Sequence, residues 1–187
     1  MLTINIPNKY DAFIEEYSKK LTLNGFSNMS KEKLAEYSRT DLQCTGLQGE
    51  IAYALYSLGT ADHLTKLIDT KYEHYLQTGK GDGGVDAQLL VDGKLTNIDV
   101  KTSHITDEKK IRSLNLIVSQ NEFHPGQIYV SAFAVSPVRS KANTVILAGW
   151  AWSDQVEKKR WKFDKEKFCV PVRELNDMMK LERYIRQ

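Results

Sequence analysis

Two short runs of strand-forming residues, from Asp86 to Val91 and from Lys94 to Lys101, flank the dipeptide Asp92-Gly93. A two-residue type I′ turn needs positive φ at both central positions, and Asp-Gly supplies it at low steric cost, so a tight β-hairpin is predicted here. The turn fixes a register in which Val91 faces Lys94, Leu90 faces Leu95, Leu89 faces Thr96, Gln88 faces Asn97, Ala87 faces Ile98 and Asp86 faces Asp99. Side chains alternate across a strand, so Ala87, Leu89, Val91, Ile98 and Val100 share one face, expected to be core. Asp86, Gln88, Asn97, Asp99 and Lys101 share the other.

Carboxylates directly opposite one another on a hairpin have Cβ atoms about 5 Å apart and repel. A facing Asp86 and Asp99 therefore invite a compensating cation, and a divalent metal with hard oxygen ligands meets that need. Lys101 projects from the same face, two residues beyond Asp99. A polar hairpin face is more often solvated charge than a site, but two acids and a lysine converging on one face make a metal site the better reading.

The rest of the chain bounds what such a site can belong to. A length of 187 residues suits a single domain. Within residues 1–187 we distinguish an N-terminal helical part (1–40), a catalytic core (41–152) and a C-terminal helical part (153–187). With 41% hydrophobic and 27% charged residues the composition is that of a globular protein. A net charge of +2 is compatible with an anionic polymer as partner without announcing one. Cys44 and Cys169 lack ligand-like spacing, so neither a disulfide framework nor a zinc site is suggested. The histidines at 63, 74, 104 and 124 show no metal-binding pattern either. No apolar run approaches membrane-spanning length, which leads to the expectation of a cytoplasmic protein with no membrane partner.

A short extended start (Thr3 to Ile6) precedes a helix with Tyr10, Phe13, Ile14, Tyr17 and Leu21 at helical spacing, ending near Asn24-Gly25. Ser30 is placed to cap a second helix. A third, from Asp41 to Leu58, carries Leu47, Ile51, Ala54, Leu55 and Leu58 as an apolar stripe, with Gly59 positioned to close it. Glu50 lies at the margin of that stripe, so its carboxylate points towards whatever the helix packs upon. Another helical segment, from Ala61 to Leu76, leads into the Gly-rich run TGKGDGGVD, which matches no phosphate-loop pattern. Gly83 and Gly84 there keep space open beside Asp86.

After the hairpin, His104 to Arg112 reads as a solvated loop adjoining the site. Ser113–Ser119, Gln127–Val135 and Thr144–Trp152 read as strands. With the hairpin they give an α/β (α+β) fold, a central mixed sheet of about five strands flanked by helices. A basic helix capped by Ser153, a brief strand around Phe168 to Val172 and a helix from Arg173 to Arg186, with Leu175, Met178, Met179 and Ile185 inward, close the chain. The tryptophans at 150, 152 and 161 are read as packing residues.

A helix bearing Glu50, a strand bearing Asp86, a tight turn and a strand bearing Asp99-Val100-Lys101 resemble the PD-(D/E)XK nuclease superfamily, whose core is a mixed sheet flanked by helices. GDGGVD, twelve intervening residues and DVKTS carry the resemblance, and GLQGEIAYAL looks like the family's first-helix motif. Val85 stands where the family name has proline, and the second acid is Asp. An acid-x-Lys triplet occurs six times, beginning at 69, 92, 99, 107, 108 and 157. Only the one at Asp99 follows an apolar strand pattern, has a facing acid and lies downstream of a helical glutamate.

The resemblance implies that Asp86, Asp99 and the Val100 carbonyl hold Mg²⁺ or Mn²⁺, with Glu50 completing the shell directly or through water. It implies that Lys101 positions and polarises the attacking water, making Glu50, Asp86, Asp99 and Lys101 the catalytic set. The expected activity is hydrolysis of DNA phosphodiester bonds, as an endonuclease of restriction, phage or repair type. Gln88, Ser103 and Gln120, with Lys109, Lys110 and Arg112 beside the site, are candidates for substrate contacts. Cutting both strands with so small a domain makes a homodimer plausible. Two other readings stand beside this one: a non-catalytic nucleic-acid-binding or assembly protein on the same fold, and an RNA nuclease.

Overall fold

The computed structural model describes residues 1–23, 39–64, 85–138, 141–157 and 167–185. Its elements are β1 (Leu2–Asn5), α1 (Asp11–Leu23), α2 (Arg39–Leu58), β2 (Ala87–Val91), β3 (Lys94–Ile105), β4 (Asn115–Ser119), β5 (Ile128–Val135), β6 (Thr144–Trp152), α3 (Ser153–Glu157), β7 (Lys167–Pro171) and α4 (Met178–Ile185). Short 3₁₀ turns occupy Glu108–Ser113, Gln120–Glu122 and Val172–Glu174. The helix capped by Ser30, most of the segment from Ala61 to Leu76, the glycine run with Gly83 and Gly84, and Trp161 lie outside the described residues.

Asp92 and Gly93 adopt φ of 49° and 75°, the conformation a type I′ turn demands. β2 and β3 pair in the register set by that turn, from Val91↔Lys94 out to Ala87↔Ile98. β3 continues in parallel with β5, β5 pairs antiparallel with β6, and β6 with β1. The result is a five-stranded mixed sheet of order β1-β6-β5-β3-β2, flanked by helices in a single domain.

The membership of that sheet differs from expectation at one strand. Asn115–Ser119 pairs with β7 in a separate two-stranded sheet, and Leu2–Asn5 takes the fifth place. β5 and β6 are buried along nearly their whole length on both faces, as central strands are. β1 and β4 both alternate, so alternation alone does not choose between them. β4 lies over the second face, with Leu116 and Val118 buried and Ile117 exposed.

Each face of the main sheet has its own core. On the first, Ile98, Val100, Ile128, Val130, Val145 and Leu147 pack with Ile14 and Tyr17 of α1 and Leu47, Ile51 and Ala54 of α2. Gly49 lets α2 approach β3 closely: a Cβ there would lie 1.8 Å from Thr102 Oγ1. On the second face, Leu116, Val118, Phe168 and Val170 of the small sheet close over Tyr129 and Ala151. Ile111 and Val172, from two of the 3₁₀ turns, cover Phe133, Ile146 and Ala148.

Several boundaries differ from expectation. Residues 108–112, expected as loop, and Ser113, expected to open a strand, form a turn pinned by buried Ile111 and capped by the Asp107 carboxylate, which accepts from Lys109 N at 3.0 Å. α2 ends at Gly59, φ 71°, as expected, but Leu58 is exposed instead of completing the stripe. The last helix begins at Met178, not Arg173, because Asn176 exchanges two backbone hydrogen bonds with Trp150, at 3.0 and 2.8 Å. Asp177 then caps the helix through Met179 N at 2.9 Å. Met178 and Leu181 are buried as the core contacts, whereas Met179, expected inward, is exposed. The Ile185 side chain lies outside the described residues. Trp150 is buried and packs edge-on against Trp152, with its indole N–H donating to Asp177 O, a packing role in keeping with the sequence.

The start of the chain is clamped to the end of α2. Asp62 accepts from Lys9 Nζ at 2.9 Å and from the buried Tyr10 hydroxyl at 2.8 Å, and that hydroxyl accepts from Ala61 N. These bonds, Lys9 first and Tyr10 next, hold the Asp62 carboxyl down at about 2. A depressed acid contributes stability that is fully present above its unfolded value and is lost as pH falls through the folded one. Asp62→Asn is therefore expected to shrink the acid dependence of stability between about pH 4 and pH 2. Unfolding midpoints of parent and variant across that window check it; parallel curves would contradict the clamp. Among the described residues, no helix is long and apolar enough to cross a membrane.

Candidate active site

The second face of β3 divides at Asp99. Towards the turn it is open: Leu90 and Leu95 are exposed, and Gln88 Nε2 donates to Asn97 Oδ1 at 2.8 Å across the hairpin. In the other direction it is roofed by the small sheet and its turns. Asp99 and Lys101 lie at this boundary, paired in the ladder with Tyr129 and Ser131 of β5.

Asp86 is the first residue beyond the ladder. Its N–H donates to Ile98 O at 2.9 Å, and its Oδ2 accepts from Val100 N at 2.7 Å. The side chain thus takes over from the backbone as β2 parts from β3, and the carboxylate is turned along the strand edge. The N–H and C=O of one strand residue point the same way, so the Val100 carbonyl is directed to this edge also. The repulsion anticipated from the register persists: Asp86 is among the groups that raise the Asp99 carboxyl.

Asp99 is only 2% exposed, and its Oδ2 is buried. Lys101 Nζ lies 2.9 Å from that oxygen as its ion-pair partner. Desolvation, reinforced by Asp86 and opposed by Lys101, pushes the Asp99 carboxyl up to about 7. For Lys101, desolvation favours the neutral amine, but Asp99 and Glu122 outweigh it and hold the ammonium charged well above the usual lysine range.

Glu122 is the residue that sequence reasoning missed. Its Oε2 lies 3.2 Å from Lys101 Nζ, giving the lysine a second carboxylate. Glu122 ends the 3₁₀ turn Gln120–Glu122, and its carbonyl accepts from the Tyr129 hydroxyl at 3.2 Å. Phe123, the next residue, stacks on Tyr129 and packs against Phe168, which fixes the turn. Burial opposes charge on Glu122, yet Lys101 and Ser119 together lower its carboxyl. No motif marks this position. Its signal in sequence is an acid a few residues ahead of β5, the strand that pairs with Asp99 and Lys101.

The other nominated residues are placed less centrally. Glu50 is half-buried on α2, beside the Gly49 that touches Thr102 on the first face of β3. Among the described residues no three His, Cys, Asp or Glu side chains gather as a metal-holding group, so Glu50 does not complete a trio with Asp86 and Asp99. Gln88 is engaged with Asn97. Ser103 is exposed on β3, Lys109, Lys110 and Arg112 are exposed on the turn after it, and Gln120 is exposed at the start of the Glu122 turn.

A divalent ion can be tested against this donor set. Mg²⁺ is commonly held by one or two carboxylates, keeping waters in its remaining positions. Asp86 and Asp99, one with a buried oxygen met by a lone ammonium, and the Val100 carbonyl directed to the same edge meet that requirement. The residues fit a hard, oxygen-preferring ion and offer no soft ligand.

No family model, curated protein or solved structure matches this chain. The functional reading therefore rests on the residues themselves.

Proposed function

We propose that this chain is a metal-dependent nuclease that hydrolyses DNA phosphodiester bonds, on a restriction-endonuclease-like core of the PD-(D/E)XK type. The observation that carries the reading is the meeting of Asp86, Asp99 and Lys101 where β2 leaves β3, with a buried Asp99 oxygen whose one close neighbour among the described residues is the Lys101 ammonium. Asp86, Asp99 and the Val100 carbonyl would hold Mg²⁺ or Mn²⁺, with Glu50 acting through water. Such an ion supplies acidification of water and polarisation of a phosphoryl oxygen.

Lys101 has the chemistry to orient the attacking water and to offset charge building on the phosphate. Gln120, on the same turn as Glu122, and Ser103, further along β3, are suited to contact the nucleic-acid backbone near the cut. Gln88 on the open half of the face, and Lys109, Lys110 and Arg112 on the turn beyond β3, are suited to contact it further off. The products would be a 5′-phosphate and a 3′-hydroxyl. Cleavage of both strands would be the work of a homodimer, and a cytoplasmic setting follows from the same reading.

One observation favours a second reading. Lys101 bridges Asp99 and Glu122, so the acids already have an internal cation, as they would in a non-catalytic nucleic-acid-binding protein. The experiment that decides is incubation with supercoiled, linear and single-stranded DNA and with RNA, in Mg²⁺, Mn²⁺ or EDTA, beside Lys101→Ala. Cutting of DNA with either metal, absent in EDTA and reduced by about 10² or more in the variant, is the expected result. Binding without cutting would support the second reading, and cutting of RNA alone would move the substrate class.

A further inference from the structure

Asp99 Oδ2 holds the closer of two contacts made by one ammonium. Lys101 Nζ stands 2.9 Å from Asp99 Oδ2 and 3.2 Å from Glu122 Oε2. The two carboxylates differ in setting: the Asp99 side chain is 3% exposed, that of Glu122 43%. A divalent ion on Asp99 would bring a second cation against the ammonium in a poorly screened place, and the two would repel. The ammonium must then move, and Glu122 already touches it, with Oε2 3.2 Å from Nζ.

We propose that Lys101 is the resident counter-ion of Asp99 in the metal-free protein, and that Glu122 is the receiving carboxylate that draws its ammonium aside when a divalent cation takes Asp99 Oδ2. The inference rests on the metal site proposed above and deepens it by naming the group that governs ion entry. Glu122 is a positioning residue: it acts through Lys101 and touches neither ion nor substrate. The turn that carries it is anchored through Tyr129, the ladder partner of Asp99, so receiver and site share one support.

The arrangement predicts opposite effects for two substitutions. Removing the resident cation, by Lys101→Met, leaves Asp99 without its counter-ion and is expected to tighten Mn²⁺ binding by about tenfold. Removing the receiver, by Glu122→Gln, strands the ammonium on Asp99 and is expected to weaken Mn²⁺ binding by about fivefold. The decisive comparison is the double variant. If Glu122 works through Lys101, Glu122→Gln has little effect once Lys101 is Met; if Glu122 merely attracts cations from a distance, its effect is the same in both backgrounds.

Mn²⁺ affinity, read by electron paramagnetic resonance of free and bound ion without nucleic acid, tests this on the folded parent, both single variants and the double variant. Thermal unfolding confirms that each is folded, and Glu122→Asp should restore part of the lost affinity. Equal effects of Glu122→Gln in both backgrounds, weaker binding in Lys101→Met, or no Mn²⁺ binding by the parent would each overturn the relay. Cleavage assays on the same samples keep the two ideas apart: Mn²⁺ coupling without cleavage would sustain the relay and remove the nuclease.

Discussion

Asp99→Asn is expected to reduce metal-dependent DNA cleavage by about 10³ or more, because it removes the buried carboxylate proposed to hold the ion. The same change should make the metal-free protein more stable at neutral pH. Burial, with Asp86 adding and Lys101 subtracting, raises the Asp99 carboxyl to about 7. A group whose folded value lies above its unfolded one contributes stability that is fully present below the unfolded value and is lost as pH rises through the folded one. In EDTA the parent should therefore lose stability between about pH 4 and pH 7 through Asp99, and Asn, carrying no charge, should not. Thermal unfolding at pH 5 and pH 8 in EDTA, with cleavage assays alongside, tests both halves. A variant that still cuts, or one less stable than the parent at pH 8, would count against this account of the site.

Gly49→Ala is expected to be the most damaging small substitution in α2. Its new Cβ would lie 1.8 Å from Thr102 Oγ1 and 2.9 Å from Thr102 Cβ, so rotation of the threonine cannot by itself relieve the clash. The helix must retreat from β3, at a cost of about 2–4 kcal/mol, or roughly 5–15 °C in Tm for a chain of this size. Gly46, one turn earlier, has nothing within 4 Å of an added Cβ. Gly46→Ala should accordingly stabilise by about 0.5–1 kcal/mol through helix propensity. Adding Thr102→Ala to Gly49→Ala removes the Oγ1 contact but keeps the Cβ at 2.9 Å, so it should recover part of the loss and not all of it. Denaturant unfolding of the four proteins gives the coupling directly; strict additivity would mean that Gly49 serves some other purpose.

The parts of this protein legible in its sequence are those governed by short-range rules. Asp-Gly fixes a turn, the turn fixes a register, and alternation then assigns Ile98 and Val100 to one face and Asp99 and Lys101 to the other. Gly59 closes α2 for an equally local reason. What escaped was decided at a distance. Whether Asn115–Ser119 or Leu2–Asn5 joins the main sheet is a property of the assembled layers, since both strands alternate in burial and neither pattern selects the place. The late start of α4 depends on Trp150 claiming the backbone of Asn176, across 25 intervening residues. Glu122 reaches the site only because β4 crosses the second face and leaves its following turn beside Lys101. The place of Asp86 at the end of the ladder follows from the register but its posture does not, since alternation says nothing about a side chain that bonds the neighbouring strand's backbone.

The pairing of β1 with β6 also sets a schedule. Leu2 meets Leu147 and Asn5 meets Thr144, so β1 is made well before its partner and is among the last strands to pair. At typical rates of synthesis, about 5–20 residues per second, that wait is on the order of ten to thirty seconds, whereas the β2–β3 hairpin closes within microseconds of being made. Throughout the interval the main sheet can grow from its middle, β3 then β5 then β6, with α2 already available to cover it. The N-terminal strand is thus the closing piece of the nascent chain. Substitutions in Leu2–Asn5 should therefore act chiefly on the rate of unfolding and hardly on the rate of folding.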